Sequence, residues 1–155
     1  MVAPDKLDIV AIPKAWTPGT DGAHKGRLVY AKLAVEEDLA KWKGKLAGAI
    51  VMLDEPQASK LHSKADATRY TDEQLDELVK IDLDAAPSRR AELAMIVKQL
   101  EFRKKLMPFL MEEKVLATLN WSRGEDGTIF VQGGGSYKKD DVTGPANLVV
   151  MAESY

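Results

Sequence analysis

Ala49-Ile50-Val51-Met52-Leu53 is a run of five apolar residues, bounded by Gly48 on one side and by Asp54-Glu55-Pro56 on the other. A half-solvated strand would alternate, so an unbroken run of this length reads as a central strand buried on both faces. Val115-Leu116-Ala117-Thr118-Leu119-Asn120-Trp121 is a second strand-like segment, and a long helical excursion separates the two. Strand, helix and strand in that order form a β-α-β crossover, which predicts parallel pairing of the two strands.

The remaining segments are read around that unit. Lys6 to Ile12 alternates loosely and stops at Pro13, which predicts a short edge strand. Turn formers make residues 16–22 a loop, and Gly26 to Val35 alternates with a period near two, as a strand would. Glu36-Glu37-Asp38-Leu39-Ala40-Lys41-Trp42 runs from acidic to basic, the order the helix dipole favours, and predicts one or two helical turns. Residues 57–70 show no period. Thr71-Asp72-Glu73-Gln74 has the form of a capping box, and Leu75, Leu78 and Val79 continue it as a helix from about 72 to 80.

The longest helix is expected after Pro87, with Ser88 as N-cap, and runs to about Glu113. Leu93, Ile96, Val97 and Leu100 share one face, whereas Phe102, Leu106, Phe109 and Leu110 lie nearly opposite. A straight helix cannot bury both stripes against one sheet. Either it breaks near Glu101, or its first half packs on something other than the main core, such as the preceding helix or a neighbouring domain. Pro108 lacks a donor and adds a second reason to expect one or two kinked helices. Thr128 to Gln132 predicts a further strand, 133–145 a loop, and Asn147 to Ala152 the last strand.

A chain of 155 residues, 45% hydrophobic and 30% charged, has the size and balance of one domain. No apolar run approaches the roughly 18 residues that a membrane span requires. The net charge of -2 supplies no field for collecting phosphates, so a nucleic-acid partner is not expected. The absence of Cys removes disulfides, thiolate metal sites and cysteine nucleophiles together. Met1 to Val10 lacks the basic and apolar regions of an export signal.

Residues that could carry chemistry are sparse. His24 and His62 fall in predicted loops without metal-ligand spacing. Asp72 with Asp76 and Glu73 with Glu77 read as solvated carboxylates favoured by a helix N-terminus. Gly133-Gly134-Gly135-Ser136 lacks the Lys-Ser/Thr of a phosphate loop, and Lys138 occupies the place where a nucleophile elbow needs Gly. The run reads as a turned β connection or as a peptide or partner contact through its backbone. Residues 71–84 carry six acidic groups and one Lys, whereas 89–105 carry six basic and two acidic groups. These neighbouring segments can attract one another. No catalytic, cofactor-binding or metal-ligating residue is expected.

In order and spacing, several segments resemble the protease-associated (PA) domain inserted in bacterial two-zinc exopeptidases of the aminopeptidase and glutamate-carboxypeptidase-like class. They are Asp38-Leu39 through Gly44-Lys45 leading into Ala49–Leu53, the helix and strand from Phe102 to Leu119, Thr128 to Ser136, and Val149 to Tyr155. The resemblance covers nearly the whole chain. It implies one domain over 1–155, of mixed α/β class and the swivelling β/β/α type: a small mixed sheet or open barrel with flanking helices. It also implies a non-catalytic role without cofactor in a secreted or periplasmic zinc exopeptidase. Its partners would be the parent catalytic domain and peptide substrate, and self-association through Leu93, Ile96, Val97 and Leu100 is an option. An inserted domain should have its two ends close together. Two departures stand out: Lys114 occupies the helix exit where the family often has Gly, and Asp54-Glu55-Pro56 replaces an Arg-Gly-Cys.

Overall fold

A computed structural model of the chain describes residues 8–58, 63, 65, 67–81, 90–124, 126–136, 138–141 and 143–155. Five strands, β1 (Ala11–Pro13), β2 (Arg27–Tyr30), β3 (Ala49–Met52), β4 (Ala117–Trp121) and β5 (Ala146–Val150), form one open mixed sheet in the order β1-β5-β4-β3-β2. The helices are α1 (Glu36–Trp42), α2 (Asp72–Val79) and α3 (Arg90–Glu112). The fold is mixed α/β, and the sheet does not close into a barrel.

The expected crossover is present: β3 pairs in parallel with β4, Val51 lying opposite Thr118. β2 and β5 extend the parallel sheet on either side, and β1 adds antiparallel to β5. β1 includes Pro13, which an edge strand tolerates. Lys14 N–H donates to the Asn147 carbonyl at 2.8 Å, so Pro13, one residue earlier, turns its missing donor away from the sheet. Met151 N–H donates to the Val10 carbonyl at 2.9 Å, which brings residues near the two ends together. Residues 1–7 lie outside the described residues.

One face of the sheet holds the core. Ala31, Leu33, Leu46, Ala49, Val51, Leu106, Leu110 and Val115 are buried together, with Leu39 and Trp42 of α1 and Phe102 and Phe109 of α3 packed against them. Both helices lie on this side, so Ala49 and Val51 are fully covered while Ile50 and Met52 are only partly so. The two-face burial expected for β3 is therefore incomplete.

α1 starts where the Asp38 carboxylate turns back to accept from Ala34 N–H at 3.2 Å and Val35 N–H at 3.3 Å. β2 ends at Tyr30, shorter than the alternation to Val35 suggested, and the Ala34 and Val35 amides that a longer strand would present are held by Asp38. α2 carries the expected capping box: Thr71 Oγ1 accepts from Gln74 N–H at 3.3 Å, and Gln74 Oε1 accepts from Thr71 N–H at 3.0 Å.

α3 is a single 23-residue helix that passes through Pro108. No break falls near Glu101; the conflict between its stripes is resolved by leaving the first stripe outside the core. Pro87 and Ser88 lie outside the described residues. At the C-terminal end Lys114 N–H bonds the Met111 carbonyl at 3.0 Å and Val115 N–H bonds the Leu110 carbonyl at 3.1 Å, a Schellman turn. Lys114 itself adopts φ 56°, so the exit is as tight as a glycine would make it. The neighbouring Glu113 carboxylate accepts from Gly44 N–H at 2.7 Å and Leu46 N–H at 3.3 Å, tying the α1–β3 loop to α3.

Thr128 to Gln132 does not form the expected strand. The buried Ser122 captures this segment instead: its Oγ accepts from Gly124 N–H at 3.1 Å and Phe130 N–H at 3.0 Å, and donates to the Thr128 carbonyl at 3.2 Å. Gly124 permits the close approach, since a β-carbon there would sit 2.0 Å from the Thr128 carbonyl oxygen.

Lys114→Gly is expected to raise stability by about 1 kcal/mol, because glycine adopts the left-handed conformation without a Cβ penalty. Urea unfolding should show a higher midpoint with an unchanged slope. An unchanged or lower midpoint would contradict the strained-exit reading.

Candidate functional site

Tyr30 ends β2, Asp54 follows β3 and Trp121 ends β4, so the carboxyl ends of three neighbouring parallel strands open onto one depression. Its volume is about 280 Å³, and Lys32, Glu55 and Gln57 also line it. This is the edge at which open α/β sheets hold ligands, because the loops there diverge to leave a crevice.

A polar network backs the depression and joins segments far apart in sequence. Asp54 Oδ2 accepts from Asn120 Nδ2 at 2.9 Å and from Trp121 N–H at 3.0 Å. Asn120 Oδ1 accepts from Lys14 Nζ at 2.7 Å. The Tyr155 hydroxyl accepts from Asp54 N–H at 2.9 Å and donates to the Asp54 carbonyl at 2.9 Å. Burial pulls Lys14 below the ordinary lysine range; the Asp54 charge acts in the opposite sense, and that of Arg103 adds to the depression. Burial likewise holds the Tyr155 phenol above its ordinary value, with the Asp54 charge adding to the rise. The arrangement fixes a carboxylate as an acceptor and can orient a polar ligand. Among the described residues no group of three or more His, Asp or Glu is placed to hold a metal ion.

The glycine run lies elsewhere, against residues 14–17. Gly134 and Gly135 N–H both point at the Ala15 carbonyl, at 2.9 and 3.3 Å, and Gly133 bridges Ala15. A β-carbon on Gly135 would sit 1.6 Å from the Trp16 carbonyl oxygen. The Arg103 guanidinium donates to the Gly134 carbonyl. Ser136 Oγ accepts from Lys138 N–H at 3.1 Å. The run is therefore a packing device, with two of its amides facing its own chain; Gly133 is exposed and Ser136 half-buried. His24 is exposed, and His62 lies outside the described residues. Asn120, the first residue of an Asn-Trp-Ser sequon, has its amide nitrogen on Asp54.

Leu93, Ile96, Val97 and Leu100, marked by their spacing, form a second candidate. Each is between 49% and 56% exposed on the first half of α3, and Leu75, Leu78 and Val79 of α2 are exposed as well. An exposed apolar row of this kind on a helix is suited to protein contact.

The sequence reading missed Lys14, Asp54, Asn120 and Tyr155 as a group. Their only signal was position, since polar residues just beyond predicted parallel strands fall at the ligand-binding edge.

Tyr155→Phe is expected to cost about 1–2 kcal/mol at neutral pH, because the Asp54 amide and carbonyl lose their partner. In the native chain the raised phenol keeps its proton above pH 10.0, the ordinary value at which the unfolded chain releases it. Stability present below that pH is lost as pH rises through the folded value, so the gap between native protein and variant should narrow above pH 10.0. Denaturant unfolding at neutral and alkaline pH measures it; a constant gap would contradict the assignment.

Compared with family models, with curated proteins and with solved structures, the chain matches none.

Proposed function

We propose that the chain is a non-catalytic accessory domain of a secreted or periplasmic zinc exopeptidase, of the PA type that its sequence resembles. In this reading it shapes access to the peptidase active site through protein contacts made by α2 and the first half of α3. One observation carries the reading: Leu93, Ile96, Val97 and Leu100 stand about half exposed on a helix whose second half is built into the core. Each of these half-covered side chains gains roughly 0.7–1.5 kcal/mol when the rest of it is buried, so a helix that projects such a row is suited to a partner. Two further features agree with it. The fold is mixed α/β, as the resemblance implies, and residues 10 and 151 are hydrogen-bonded, as in a domain that leaves and re-enters a host at one place. An inserted domain changes specificity without touching the chemistry by restricting which chain ends reach the metals.

The test uses the full-length gene product with and without Ile96→Asp and Leu100→Asp. The expected result is unchanged turnover of a dipeptide and a several-fold change in turnover of long peptides. Equal ratios at all lengths would overturn the access role.

A free-standing small-ligand or peptide-binding module is the second reading, and the depression at Tyr30, Asp54 and Trp121 favours it. Short peptides titrated into isotope-labelled protein should then shift the amide resonances of Asp54 and Trp121. Unshifted resonances at saturating peptide would remove it.

A further inference from the structure

We infer that the depression at the ends of β2, β3 and β4 binds a free α-amino acid as its zwitterion, the ammonium at Asp54 and Glu55, the carboxylate at Lys32 and an apolar side chain against Leu33, Leu53 and Trp121. It rests on the small-ligand reading of that depression and names the class of ligand. Lys32, Asp54 and Glu55 all line the same space. Lys32 and Glu55 are exposed, yet neither makes an ion pair among the described residues. Opposite charges that border one depression without meeting across it are both open to a ligand that carries both signs.

Asp54 is the fixed member of the three. The Tyr155 hydroxyl holds its backbone amide and carbonyl, and its Oδ2 accepts from Asn120 Nδ2 and Trp121 N–H. Both side-chain bonds fall on Oδ2, so the scaffold orients the carboxylate and Oδ1 is the oxygen left for a donor. An ammonium is the donor best matched to a carboxylate, and the rings of Tyr30 and Trp121, which line the same space, also attract a cation. A purely cationic ligand would be repelled by Lys32, and a purely anionic one by Asp54 and Glu55. Only a zwitterion sets each charge against its opposite. Leu33, Leu53 and Trp121 supply the apolar lining, and a volume of about 280 Å³, just under the usual range of ligand pockets, suits one amino acid better than a longer peptide.

Leucine, N-acetyl-leucine, leucinamide and leucyl-glycine, each titrated into the isotope-labelled full chain and its Lys32→Gln and Asp54→Asn variants, test the proposal. Leucine should shift the amide resonances of Lys32, Asp54, Glu55 and Trp121 saturably at concentrations up to about 10 mM. N-acetyl-leucine lacks the ammonium and should bind at least about tenfold more weakly. Leucinamide lacks the carboxylate; it should bind several-fold more weakly than leucine and be indifferent to Lys32→Gln, which should weaken leucine to the level of leucinamide. In Asp54→Asn the side-chain oxygen takes the place of Oδ2, where Asn120 and Trp121 donate, so an amide nitrogen stands where Oδ1 stood and leucine should bind at least about tenfold more weakly. The spectra themselves report whether each variant folds, and the acetylated compound probes the same contact on the native chain.

Equal binding of leucine and N-acetyl-leucine by the native chain would overturn the inference, as would leucyl-glycine bound more tightly than leucine. Either result leaves a ligand site at the depression and removes only the amino acid. No saturable shift with any of the four compounds or with short peptides would remove the site and the inference together.

Discussion

The exit of α3 is the junction on which the sheet depends. Within five residues the chain passes from a buried helical Leu110 to a buried Val115, through a left-handed Lys114. The two Schellman hydrogen bonds hold that reversal, and the next amides enter the sheet: Gly48 N–H bonds the Lys114 carbonyl at 3.1 Å and Leu116 N–H bonds the Ala49 carbonyl at 2.9 Å. The register of β4 on β3 is thereby set at the turn, before β4 begins. Because side chains alternate between faces, a slip of one residue would move Ala117 and Leu119 to the face now occupied by Thr118. The Glu113 carboxylate anchors the α1–β3 loop from the same spot, so helix exit, loop and two central strands are joined by one set of hydrogen bonds.

The polar network does the corresponding work at the other end of the strands. Asp54 follows β3, Asn120 belongs to β4, Lys14 follows β1, and Tyr155 closes the described chain. None of these residues is near another in sequence, yet hydrogen bonds of 2.7–3.0 Å join them. A half-buried Lys14 remains tolerable because Asn120 accepts from it and the Asp54 charge lies nearby. This network holds the edge strand β1, which shows only three residues of pairing, to the middle of the sheet.

What could be read from the sequence was what short-range periodicity and capping chemistry encode. The β3–α3–β4 crossover, the acidic-to-basic α1 and the Thr71–Gln74 box depend on residues within a few positions of one another. Misreadings arose where a distant or non-periodic group intervened. Thr128–Gln132 has strand-like composition, but Ser122, six to eight residues earlier, takes the backbone groups that a ladder would need. At Lys114 the backbone conformation followed the demands of the turn over the preference of the residue. The glycines at 133–135 read as a turned β connection or a partner contact, and the sequence held no sign of the residues 14–17 against which they pack. The Lys14–Asn120–Asp54–Tyr155 network has no local signature, because only the completed sheet brings its members together.

The uncovered stripe on α3 follows from a mismatch of lengths. A helix of 23 residues spans about 35 Å, whereas the five-residue β4 spans about 17 Å. A crossover needs only as much helix as returns the chain to the start of the next strand, and the segment from Phe102 to Glu112, about 17 Å long, suffices for that. The turns before it overhang the sheet by geometry, whatever their sequence. An overhang with no partner could carry polar residues all round where i,i+4 pairs support it. This one instead keeps an apolar row in helical phase, set opposite to the row that faces the core. That second row stays outside the core and adds nothing to the stability of the sheet, so it has no role in the fold that the sheet itself explains.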